Sequence, residues 1–156
     1  MLPILLATLP LLQAPASAPQ AAAKAEAKTE ATSLSFASIR QPYLWDRLLP
    51  VELAVDGLKV NSIFFNLRES KVKLFQGPTF GTRAQVEVTN TSKATKIPGF
   101  AVAVLDAEGH LLGAATGGSK LTGVKAGETE TFDLNFDQVN ARIPKGATFL
   151  LTVELR

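Results

Sequence analysis

This 156-residue chain contains no cysteine and only one histidine, one tryptophan, one tyrosine and one methionine. Without cysteine there is no disulfide framework, no thiolate metal centre, no thiol nucleophile and no lipobox site for acylation. With His110 as the sole imidazole, a nucleophile–histidine relay or a multi-histidine metal site has almost nothing to be made from. Charge of one sign is equally scarce, because 16 Lys and Arg stand against 14 Asp and Glu for a net charge of +2. A nucleic-acid reader shows a denser basic face with interleaved aromatics, so no nucleic-acid partner is expected. The most apolar run, residues 2–12, falls well short of the roughly 20 residues that span a bilayer as a helix, and no integral membrane span is expected in the mature chain.

What that run does resemble is the apolar region of a secretory signal peptide, since it leads into small residues. Ala16-Ser17-Ala18 has the form of a cleavage site but places Pro19 just after the cut. Cleavage is therefore expected after Ala16, or as late as Ala23, and the mature protein is expected to be extracytoplasmic, either periplasmic or secreted. Residues 17–33 are nearly all Ala, Pro, Lys, Glu, Thr and Ser. They offer no large apolar side chain whose burial would offset ordering entropy, which predicts a disordered linker. Residues 34–156 are of ordinary size for one domain stabilised by its core alone.

Within that segment the hydrophobic pattern has a period of two. Ala84, Val86 and Val88 alternate with Gln85, Glu87 and Thr89, and Phe132, Leu134 and Phe136 alternate with Asp133 and Asn135. Strands are predicted around residues 51–55, 58–67, 72–75, 83–89, 100–105, 110–116, 130–136 and 148–155. The pair Asp56-Gly57 marks a hairpin between the first two, and the run at 100–105, apolar on both faces, reads as a central strand. Lys71 and Lys73, flanking Val72, look like the wet face of an edge strand, where lysine deters edge-to-edge pairing. Turn signals at 90–92, 106–109, 117–118, 126–127 and 145–146 recur at sandwich spacing. The prediction is an all-β, immunoglobulin- or fibronectin III-like antiparallel β-sandwich of about seven to eight strands.

The succession Val86-Glu87-Val88-Thr89-Asn90-Thr91-Ser92, then Val102-Ala103-Val104-Leu105-Asp106-Ala107-Glu108-Gly109, then residues 121–127 and the strand through Phe132, resembles the bacterial extracytoplasmic immunoglobulin-like domains of the FxLYD type. The resemblance implies a fold and a compartment, a module of envelope or secreted proteins. It brings no catalytic residues with it.

Several local patterns imitate chemistry. Residues 113–118 have the glycines of a phosphate loop, but Ser119 intervenes before Lys120 and no strand–loop–helix context follows. Residues 133–137 have the rhythm of a calcium loop, yet Gln138 stands where glycine is required and Pro144 where the closing glutamate belongs, so no metal is expected there. His110 reads as a surface turn residue, and Asn90-Thr91-Ser92 as a turn rather than a glycan acceptor. The feature that points to function is Tyr43 and Trp45, two apart after Pro42. In an extended segment they would share a face and form a stacking platform for a sugar ring or an anchor for a partner protein; alternatively they cover the open end of the sandwich. The leading expectation is an exported, non-catalytic binding or interaction module of the cell envelope, with no cofactor and an envelope protein or glycan as partner. The alternatives are a carbohydrate- or peptidoglycan-active enzyme working with two carboxylates drawn from Glu108, Glu128, Glu130, Asp133 and Asp137, or a purely structural spacer.

Overall fold

The computed structural model describes residues 35–68, 81–118, 121–139 and 141–156. The expected signal peptide, the linker and the short strand at 72–75 with Lys71 and Lys73 lie outside the described residues. Eight strands form two antiparallel sheets: β1 (Ser35–Pro42), β2 (Leu48–Val55), β3 (Leu58–Leu67), β4 (Thr82–Asn90), β5 (Pro98–Leu105), β6 (Leu111–Gly118), β7 (Thr129–Asn135) and β8 (Thr148–Leu155). One sheet, here sheet A, has the order β1-β8-β5-β6, and the other, sheet B, has β2-β3-β4-β7. A 3-10 turn, Ile143–Lys145, precedes β8.

The β2–β3 hairpin turns on Asp56 (φ 42°) and Gly57 (φ 81°). Two consecutive positive φ values are what a two-residue hairpin loop matched to strand twist demands, which is why Asp-Gly stands there. The connectivity from β4 onward is that of an immunoglobulin-like Greek key: β4 pairs with β7 in one sheet, β5 with both β6 and β8 in the other. The position beside β8, which an immunoglobulin domain gives to its last strand, is filled here by the first described strand, β1. Sequence reading left residues 35–42 outside the strands. Their inward positions are Ala37 and Ile39, too few and too small to mark a strand against Phe36, Ser38 and Arg40 on the other face.

The core lies between the sheets. Val102, Val104, Phe149, Leu151 and Val153 from sheet A meet Val60, Ile63, Phe65, Ala84, Val86 and Val88 from sheet B. Phe65 stacks edge-on against Phe149 at 5.3 Å between centroids. β6 approaches sheet B closely because Gly113 and Gly117, either side of Ala115, face inward: a Cβ on Gly113 would lie 2.6 Å from Ile143 Cδ1 and 2.9 Å from the Val139 carbonyl.

At the opposite end from Tyr43, Asn90 is fully buried and holds the β4–β5 and β6–β7 connections together. Its Nδ2 donates to the carbonyls of Ala94 and Val124, and its Oδ1 accepts from the backbone N–H and the hydroxyl of Ser92. The Asn90-Thr91-Ser92 triplet is thus a turn whose amide is already committed to four hydrogen bonds.

Candidate binding surface

Tyr43 leaves β1 with its N–H donating to the Ala147 carbonyl, while Ala147 N–H donates to Leu105. These two bonds tie the β1–β2 connection to the start of β8 and the end of β5. The Tyr43 ring turns inward, 4.6 Å from the Phe65 ring, and is only 5% exposed. Gly146 must be glycine for this seat to exist, since a Cβ there would lie 2.7 Å from Tyr43 Cδ1. The hydroxyl of Tyr43 is buried and has no hydrogen-bond partner among the described residues, and burial pushes its pKa well above the usual phenol range.

Trp45 is half-buried, packed on the margin of the core rather than within it. The chain reverses just after it, at Asp46 (φ 54°), whose N–H donates to the Phe65 carbonyl. The two aromatics therefore do not share an exposed face. Tyr43 plugs the end of the sandwich, because the connection bends instead of continuing extended, and Trp45 alone is accessible. Beside Trp45 sequence reasoning missed an apolar patch. Leu44 is 47% exposed and Leu48 68%, and Leu48 lies opposite the half-buried Phe64 in the β2–β3 register, on the outer face of sheet B. Nothing in the sequence distinguishes Leu48 from Leu49 beside it; only the register, which turns Leu48 outward, reveals it.

A second surface lies on the outer face of sheet A. Its rows, read across the register, are Ser38, Thr152, Ala101 and Thr116, with Glu154, Gly99 and Gly118 alongside. Thr152, Ala101, Thr116, Gly99 and Gly118 line a groove of about 430 Å³ together with Glu154 and Arg156. The outer face of sheet B differs. There Arg83 reaches Asn66 and Asp133, Gln85 reaches Asp133, Asn61 reaches Glu87 and Thr89, and Thr89 meets Thr129, so the polar groups satisfy one another.

The carboxylates considered for catalysis are scattered by the fold. Asp133 is held by Arg83 and Gln85 on sheet B, Glu128 accepts from the Lys125 N–H in a turn, and the sheet A groove contains none of the five. In the β5–β6 turn Asp106, Glu108 and His110 bring their ligand-type atoms within 4.8 Å of one another. Turn closure accounts for this proximity: one Asp106 oxygen accepts the backbone N–H of His110 and the other lies 3.2 Å from His110 Nδ1. Desolvation alone would raise the Asp106 carboxyl, but the backbone hydrogen bond, the ring contact and the charge of His110 outweigh it and hold the pKa below its ordinary value.

Compared with known proteins, the chain matches no family model and no curated relative.

Proposed function

We propose that this protein is an exported, non-catalytic binding module of the cell envelope that recognises a protein partner through the apolar patch around Trp45. The observation that carries the reading is the exposure of Leu44 and Leu48, which flank the half-buried sole tryptophan in the β1–β2 connection. Scattered exposed leucines need no explanation, but large apolar side chains gathered round an aromatic anchor have the composition of an interface centre. The aliphatic make-up of the rim favours a protein surface over a sugar ring, which stacks on flat aromatic faces. Export is supported by the apolar run at residues 2–12 and by the resemblance to extracytoplasmic immunoglobulin-like domains.

Trp45 is its own reporter. Adding envelope extract from the host to the purified protein should shift Trp45 emission to the blue and suppress iodide quenching, and Leu48→Lys should abolish both changes without altering the fold. Equal responses from the wild type and Leu48→Lys, or no response from either, would sink the reading.

A further inference from the structure

Each sheet of a sandwich has two edges, and a bare edge is a template for another strand. Three of the four edges here carry deterrents. β1 has Arg40 and Pro42, β2 has Pro50, Glu52 and a bulge between Pro50 and Leu53, and β7 has Asp133 and the inner-row Glu130. β6 has none. It reads Leu-Leu-Gly-Ala-Ala-Thr-Gly-Gly, without a charge or a proline, and among the described residues it pairs on one side only, with β5.

We propose that β6 is the contact strand of a two-fold dimer, in which a second copy of this chain adds its own β6 antiparallel to the first and sheet A continues through both molecules. Identical strands related by a two-fold axis bring each residue opposite itself or a near neighbour. A charged strand would repel itself in that arrangement, whereas the uncharged β6 does not. Beyond the exposed Leu111 at its start, the outward residues Ala114, Thr116 and Gly118 are small, so over 113–118 a second backbone can approach to the roughly 4.8 Å spacing of paired strands without displacing side chains. The pairing also closes. Once both β6 strands are used, the remaining edges of sheet A are the two β1 strands with their arginine and proline, so the assembly stops at two copies. The groove flooring Gly99, Ala101, Thr116 and Gly118 reaches β6, and in the dimer the two grooves meet across the axis. The Trp45 patch lies on the other flank, beside β2 and β3, so the dimer does not depend on what that patch recognises.

Light scattering after gel filtration and sedimentation equilibrium test this over a range of about 5 µM to 1 mM, which covers the weak end of specific interfaces. The wild type should pass from monomer to dimer mass with rising concentration, and β6 amides should gain hydrogen-exchange protection. Ala114 is exposed, so Ala114→Lys should keep the unfolding temperature within a few degrees while staying monomeric at the concentrations where the wild type has dimerised. Ala114→Glu should do the same, and mixing the two variants should restore the dimer. A wild type that remains monomeric throughout, a dimer that survives either substitution, or a β6 that instead takes up an unrelated extended peptide would each overturn the proposal.

Discussion

Tyr43 and Trp45 stand two residues apart and serve different purposes because the chain bends between Pro42 and Leu48. Tyr43→Ala should cost about 3–5 kcal/mol, the usual loss for a buried aromatic truncated to alanine. Tyr43→Phe should be neutral or stabilise the protein by up to about 1 kcal/mol, since it removes a buried hydroxyl that has no partner among the described residues. Trp45→Ala, at the core margin, should cost about 1–3 kcal/mol. Urea unfolding of the three variants checks the order, and Tyr43→Phe as the most destabilised would contradict it. Asn90 has a comparable weight: Asn90→Ala should cost about 2–4 kcal/mol by removing four hydrogen bonds from a fully buried site. Such a residue is invisible to pattern reading, because an Asn-Thr-Ser turn looks the same whether its amide is wet or buried. Asp106 gives a pH signature. Its carboxyl is held below the unfolded value, so its contribution is fully present above the unfolded pKa and fades as pH falls through the folded one. Carboxyl carbon NMR should place its midpoint below the ordinary value of about 3.9; a midpoint at or above that would contradict the hydrogen-bond arrangement at His110.

At the scale of elements, what could be read from the sequence was whatever follows directly from a period of two and from turn chemistry. The alternation through β4 and β7 and the double-apolar run of β5 were legible, and β5 is indeed flanked on both sides, by β6 and β8. Asp56-Gly57 was legible because only a few residue types tolerate the positive φ values a tight hairpin needs. Gly57→Ala should therefore destabilise by about 1–3 kcal/mol, since φ is 81° and a Cβ would lie 2.6 Å from Ser92 Cβ; circular dichroism melting reads the effect, and an unchanged midpoint would contradict it. β1 was not legible, because its inner face relies on Ala37 and Ile39 and its place is fixed by long-range pairing with β8. Nor was the apolar patch, since whether Leu48 faces inward or outward depends on the register between β2 and β3, which a pair of adjacent leucines leaves open.

For the domain as a whole, the two outer faces have different characters. Sheet B presents a self-satisfied polar ladder, sheet A a groove floored by Gly, Ala and Thr, and exposed leucines flank Trp45 in the β1–β2 connection. A fold of this kind carries function on its surfaces and not by its topology. The most direct test of the Trp45 patch is site-specific photocrosslinking in the host cell, comparing Leu48→benzoylphenylalanine with Thr131→benzoylphenylalanine on the polar outer face of sheet B. The account predicts a discrete adduct of higher mass from position 48, recovered from the envelope fraction, and none from position 131. Equal crosslinking from both positions, or an adduct from position 131 alone, would contradict it.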